Sequence, residues 1–490
     1  MSVARGSIHN LLGAAVPGFV SLITVPLYLH VMGAARYGVL AVVWVLLGYF
    51  GMFDLGLSRA TANRIAQLHN APVAERQEVF WTACVLNAVL GIAGGTTLYF
   101  AGEGLLRHWL SVSGELRAEA LTALPWMAIA VPLATVSSVL TGALEGKERF
   151  GILNLIQASG TVGFQTLPLV AAYVIGPELR IVVGVAVAVR ALSVVPLVLA
   201  VRSILPISGY PHVKRRRIRE LFAFGLWVTI TNVVSPILST IDRLLIGALL
   251  GARAVAYYAV PANLVNRIQI VPGALERALF PRFSKVDAAE SSRIRIESLK
   301  TLAAITTPLI VAALLAIRPF LYLWIGPRLS SAAAPVGEIL LAGMWVNGLA
   351  YLPFAQLQAQ GRPAVVAKFH LMEVLPFLVL LWLGVRYFGI IGAATAWTLR
   401  VWADAYLLFW ATRDGNRGIR ALIPGAALVA ASWECAHLAS QPFSPIRVFL
   451  GVPLVLLACA WSLRSSARLR GALLATAMGI MNRALGGDDS

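Results

Sequence analysis

Charge is what this chain has least of. Only 13% of its 490 residues are Asp, Glu, Lys or Arg, about half the share of an ordinary soluble domain. A soluble chain of this length divides into several domains joined by polar linkers, and the polar stretches here are too short to serve as such linkers. Cysteine is scarce as well. Cys84, Cys435 and Cys459 all lie in apolar runs, odd in number and without metal-ligand spacing, which excludes a disulfide framework and marks them as small core residues. Lysine is nearly missing, 5 against 35 arginines, and no Walker lysine motif is present, so a nucleoside triphosphate is not the expected driver. The alternating segments of about 10 residues that build a membrane β-barrel do not occur. No cleavable leader is expected, because the first apolar run, near 8–31, is too long and begins a series. No catalytic set, metal site or cofactor is expected either. An intramembrane glycan polymerase would need paired carboxylates near a long loop, and none are placed so.

Hydrophobic side chains make up 59% of the sequence and its mean hydropathy is +0.79. Apolar runs long enough to cross a bilayer, about 20 residues, recur along the chain. Fourteen spans are expected, near 8–31, 37–62, 79–101, 120–144, 150–175, 181–202, 220–249, 254–280, 299–325, 335–359, 364–388, 391–411, 419–437 and 445–463. The net charge of +18 belongs to topology, since its basic residues fall in alternate loops. KRRRIR at 214–219, SRIRIESLK at 292–300, RDGNRGIR at 413–420 and RSSARLR at 464–470 all come on the cytoplasmic side if both termini are placed there. About 25 Lys and Arg then lie inside and about 8 outside, as positively charged cytoplasmic loops require. The tail at 468–485 reads either as a surface-lying amphipathic helix or as a frayed end.

The stretch Gly33–Ile65 recurs at Gly251–Phe283 with a constant shift of 218. Gly33/Gly251, Ala34/Ala252, Arg59/Arg277 and Arg64/Arg282 are among the nine coincidences. LEGK at 144–147 echoes AQGR at 359–362 with a shift of 215. Two echoes with nearly one shift imply an internal duplication, a signature of transporters. The fold expected is therefore an all-α polytopic membrane protein: a six-helix bundle over 1–205, a basic cytoplasmic linker at 206–218, a second and parallel six-helix bundle over 219–412, and two extra helices with a basic tail over 413–490.

A charge at mid-bilayer demands a partner, a cavity or a ligand. On an unbroken helix, Asn263, Arg267, Ile270, Ala274 and Arg277 of the eighth span fall within a 100° arc with Asn266 at its edge, while Glu276 points elsewhere. Such a stripe faces a wet cavity or is salt-bridged to another span. Asp242 and Arg243 are adjacent and point apart. Asp242 carries a coupling proton or pairs with an arginine such as Arg267. Arg190, mid-span without a nearby acid on its own helix, is an anion ligand or bonds interhelical carbonyls. Arg400 and Asp404, four apart, are expected to pair locally. Asp54 and Arg59 reach toward headgroups, with Asp54 a further ion-coupling candidate. Glu373, three residues after His370, forms a proton site or a solvated pair. Pro17, Pro26 and Pro236, with the hydroxyl run Thr229–Thr240, suit kinked helices around a cleft.

NLLGAAVPGFVSLITVPLYLHVMGAARYGVL at 10–40, FDLGLSRA at 53–60 and IDRLLIGALLGARAVAYYAV at 241–260 resemble the polysaccharide transporter family, the O-antigen-type (Wzx-like) flippases within the superfamily that also holds multidrug and toxin extrusion transporters. The resemblance covers roughly 8–410; one departure is Ala256, where members often carry the Gly that Gly38 retains. It implies two six-helix bundles around an alternating cavity in the bacterial inner membrane, acting as a monomer. It implies as cargo a sugar or oligosaccharide on a polyprenyl diphosphate, and polysaccharide polymerase machinery as a partner. The implied diphosphate ligands are Arg267 and Arg277, since a planar guanidinium grips two phosphate oxygens. A cation-coupled drug exporter is the alternative on the same fold, and acids in its cavity would mark it.

Overall fold

In the computed structural model the described residues are 3–48, 54–68, 72–108, 114–147, 149–205, 214, 217–218, 238, 240–283, 286, 288–360, 362–412, 415–439, 441–466 and 470–471. Most of the expected seventh span, with its hydroxyl run, and the tail at 472–490 lie outside them. Among the described residues every regular element is helical. Among the described residues eight helices are long and apolar enough to cross a membrane, which makes this a multi-pass membrane protein. The reason lies in the solvent: in a bilayer the helix satisfies each backbone N–H and C=O within one segment. Val170, Val174, Leu192, Phe449 and Leu456 are all more than half exposed, a distribution suited to lipid.

The chain divides into two compact units, Met1–Ala259 and Val260–Ser490. The first holds α1 (Val3–Gly48), α2 (Leu57–Gln67), α3 (Val73–His108), α4 (Gly114–Gly146), α5 (Phe150–Val174) and α6 (Leu179–Ile204). It also holds α7, helical over 240–250, and the start of α8 (Ala252–Asn266). Its core gathers Leu57 and Ile65 of α2, Val79 and Phe80 of α3, Val139 and Leu140 of α4, and Leu197 and Val201 of α6. The basic segment after α6 is strapped to this unit. Arg217, buried, donates from Nη2 to Glu75 Oε2 at 2.8 Å, and Lys214 Nζ bonds Glu78. Glu75, in the first turn of α3, thus meets both a basic residue after α6 and the positive end of its own helix dipole.

The second unit continues α8 through a 3-10 turn (Arg267–Gln269) into α9 (Ile270–Phe283). It then adds α10 (Ala288–Ile325), α11 (Pro327–Ala359), α12 (Pro363–Ala411), α13 (Gly415–Leu438) and α14 (Pro445–Ser465). α12 is a hairpin. It carries a non-helical residue at Gly389 (φ 60°, ψ −140°), and contacts across it pair Arg362 with Ala411, Glu373 with Arg400 and Gly384 with Gly392. Members of each pair lie at similar distances either side of Gly389, so the arms run antiparallel, matching the separate spans expected at 364–388 and 391–411. α14 lies antiparallel along α10: Arg447 bonds Leu315 and Ser466 bonds Thr301.

Two expected spans are interrupted. The one at 37–62 is not continuous: α1 ends at Gly48, the chain turns through Leu55 (φ 48°) and Gly56 (φ 73°), and α2 restarts at Leu57. The one at 254–280 breaks at 267–269. Pro272 explains the second break. It offers no N–H to the carbonyl of residue 268, and its ring crowds that turn.

Candidate functional site

The break in the eighth span rotates α9 about its axis relative to α8. Three residues of 3-10 winding at about 120° each, instead of 100°, advance the phase by roughly 60°. By that count Asn263 on α8 and Ile270 and Ala274 on α9 still fall within roughly 80° of one another, inside the arc of the single-helix projection. Asn266 and Arg267 are exposed at the turn, and Asn263 and Glu276 are half-buried. Asn263, Arg267 and Glu276 each interact with neighbours. Gln269, in the same turn, accepts from Tyr351 Oη of α11 at 3.2 Å. Arg277 lies on α9, and its side chain falls outside the described residues. The turn places Arg267 where the helical ladder is interrupted, so exposed side chains and loosened backbone polar groups meet at one level.

Asp242 and Arg243 are buried. Asp242 accepts from Tyr258 Oη at 2.6 Å and from the Arg243 backbone N–H at 2.7 Å, so α7 and α8 are locked by a charge-assisted bond. Tyr258 went unnoticed in the sequence, where a tyrosine in an apolar run gives no sign of its partner. Arg190 is half-buried in the middle of α6, and its carbonyl accepts from Ser193 Oγ at 2.7 Å.

Asp54 does not extend to a surface. It is buried, and its two carboxylate oxygens accept the Ser58 N–H at 3.2 and 3.0 Å. It covers the open N–H groups at the start of α2, where a carboxylate also meets the helix dipole.

In α12 the expected pairing is exchanged. Arg400 Nη1 lies 3.4 Å from Glu373 Oε2 across the hairpin, and Asp404 Oδ1 lies 3.7 Å from His370 Nε2. The local Arg400–Asp404 pair gives way to cross-arm partners, because antiparallel packing puts Glu373 nearer the guanidinium than the next turn of its own arm. The guanidinium also stands over the Phe377 ring, 5.3 Å from its centroid, and Phe354 of α11 stacks with His370 at 6.4 Å. Four ionisable groups thus share one apolar enclosure.

Three further charged groups inside the spans were missed. Arg318 of α10 binds Glu338 of α11 through two parallel bonds of 3.0 Å, and a lone opposite charge in each of two consecutive spans was the available signal. Arg36 binds Glu119 at 2.9 and 3.2 Å. Arg447 donates to the carbonyls of Leu315, Ala436 and Ala439 at 3.0, 3.1 and 2.5 Å, which closes the C-terminal end of α13 with a cation.

The family described as "Polysaccharide biosynthesis protein" matches residues 3–287. A protein of Shigella flexneri named for O-antigen transport is 31% identical over 411 residues, covering 84% of this chain and 97% of that one. A Klebsiella pneumoniae membrane protein of the cps region is 23% identical over 414 residues, covering 81% and 78%. Among solved structures, the lipid II flippase MurJ in an inward closed conformation aligns with a TM-score of 0.71 at 13% identity, covering 92% of this chain and 98% of that one. An inward-facing multidrug resistance MATE transporter of the MOP superfamily aligns at 0.66 and 16% identity, covering 82% and 94%. These two likenesses show the fold.

Proposed function

Because the chain belongs to the polysaccharide biosynthesis protein family, as a membrane transporter of the O-antigen type, we infer that it is a flippase for a polyprenyl-diphosphate-linked sugar or oligosaccharide. It carries the glycan from the cytoplasmic to the outer leaflet of the bacterial inner membrane by alternating access, for surface polysaccharide synthesis. The observation that carries this reading is the alignment over 97% of a relative named for O-antigen transport. Chemistry supports it: the polar head needs a cationic chamber, while the lipid tail never leaves the bilayer. The diphosphate is met by Arg267 and Arg277, with Asn263 and Asn266 beside them and Arg190 and Arg243 as further cations.

The architecture that serves this is two parallel six-helix repeats about an axis along the membrane normal, within fourteen helices, with both termini cytoplasmic. Its bundles are residues 1–205 and 219–412. Their recurring helix bounds support the duplication. α2 and α9 start at 57 and 270, α4 and α11 at 114 and 327, and α5 and α12 at 150 and 363. Subtraction gives 270 − 57 = 213, 327 − 114 = 213 and 363 − 150 = 213. Gly33 and Gly251 both take positive φ, 75° and 85°, at the shift of 218 read from sequence. Polysaccharide polymerase machinery is the partner that would consume the flipped product, and the flippase acts as a monomer.

The test is reconstitution of the purified protein in vesicles with a panel of short-chain lipid-linked sugars. Inversion above that of empty vesicles is expected for at least one, and none for any of them would overturn the reading.

A further inference from the structure

The α12 hairpin holds a group of charges whose count does not balance. Glu373 and Asp404 are buried, 7% and 8% exposed, one on each arm. Arg400 supplies the single permanent cation, and His370 the fourth titratable group. With both carboxylates ionised and His370 neutral, the enclosure carries one net negative charge, which burial in apolar surroundings opposes. Two observations locate what is missing. Glu373 and Asp404 act on each other across the hairpin, each with its partner on the opposite arm, and two facing carboxylates can bond only if one carries a proton. Glu373 Oε1 and Asp404 Oδ1 are also both fully buried acceptors without a donor. One proton between the arms supplies the donor and restores neutrality.

We propose that the α12 hairpin is a proton-binding site, in which Glu373 and Asp404 share one exchangeable proton that clasps the two arms together. Uptake places a hydrogen bond between the arms. Release leaves two buried carboxylates facing each other, and their repulsion parts the arms on either side of Gly389. No bond other than the O–H forms or breaks, and the proton goes to solvent. Arg400, held by Glu373 and the Phe377 ring, keeps the count such that one proton and not two gives neutrality. His370, facing Asp404, is the route by which the proton reaches the pair. α11, packed against the hairpin, brings Phe354 to His370; its one acid, Glu338, is engaged by Arg318. On α13, His437 stacks on Trp433. A sodium ion fits poorly, because a hard cation takes a shell of oxygen ligands and here a guanidinium and an imidazole occupy the approaches. Where the clasp drives transport, this inference rests on the flippase reading; as a proton site it does not.

The test is carried out first without any glycan. Infrared spectra of the purified full-length protein across a pH series should contain a buried protonated-carboxyl band. That band should disappear in Glu373→Gln and in Asp404→Asn, persist in the exposed control Glu434→Gln, and shift without vanishing in Glu373→Asp, which guards against misfolding in the amide variants. A band unmoved by all three changes at 373 and 404, or one abolished by sodium at constant pH, overturns the proposal. In vesicles that flip a lipid-linked sugar, an imposed pH gradient should change the rate severalfold for the native chain and leave Glu373→Gln unaffected. A gradient response that survives in Glu373→Gln removes the coupling role. Absence of flipping with the band intact defeats the flippase reading alone.

Discussion

Gly38 lies so close to Ala252 that a Cβ on it would stand 1.7 Å from the Ala252 carbonyl oxygen, with the Ala256 nitrogen at 3.3 Å. α1 and α8 therefore meet backbone to backbone, as small residues permit in membrane helices. Gly38 and Ala256 are the two positions that the 218-residue shift equates, so the duplicated segments touch at corresponding places. Gly38→Val must push α8 away, and overpacking of this kind costs about 1–3 kcal/mol. The variant is expected to melt earlier in detergent and to lose transport, whereas Ala256→Gly should be close to neutral in transport. A native melting curve for Gly38→Val would contradict the contact.

Asp54 acts as a helix cap. Asp54→Ala is expected to destabilise the protein by about 1 kcal/mol, and Asp54→Asn, which caps as well, by much less. Transport in Asp54→Asn should stay close to native. A dead but stable Asp54→Asn would show instead that the carboxylate carries a proton.

Arg447 joins α10, α13 and α14 through three carbonyls. Arg447→Met keeps the bulk and removes the donors, leaving buried carbonyls unmet at about 1–3 kcal/mol. Thermal melting should fall clearly, and Arg447→Lys should recover only part of the loss because one ammonium cannot span the same fan of acceptors.

The strap after α6 predicts a measurable coupling. Arg217 is 2% exposed in its side chain, so salt cannot screen it well. A double-mutant cycle with Arg217→Ala and Glu75→Ala should give a coupling of about 0.5–3 kcal/mol, little changed by added salt. The exposed Lys214–Glu78 pair should give far less.

Arg267 stands exposed at the 3-10 turn and is the proposed diphosphate ligand. Transport by Arg267→Ala and Arg267→Lys, at matched membrane expression, should both fall tenfold or more, because Lys keeps the charge and loses the planar fork. Full activity in Arg267→Ala would remove it from the binding set.

Composition and pattern alone determined that this chain lives in a bilayer. Sparse charge and apolar runs of span length leave no other way to satisfy so much buried backbone. The sequence also carried the turns. Gly33, Gly251 and Gly389 sit at the breaks between expected spans and all take positive φ, a local property of the glycine backbone that needs no tertiary context. Partner choice was different. Arg400 chose Glu373 over Asp404, Asp54 turned inward to Ser58, and Tyr258 found Asp242. Each outcome depends on the register of helices far apart in sequence or on where a helix restarts. The eighth span is a milder case: one 3-10 turn ahead of Pro272 rotates every later side chain by roughly 60°, which moves the stripe without dispersing it. Intervals along a helix are fixed by covalent geometry and hydrogen bonding within the segment, whereas the neighbour of a buried charge is fixed by packing between segments, and only the folded chain supplies that.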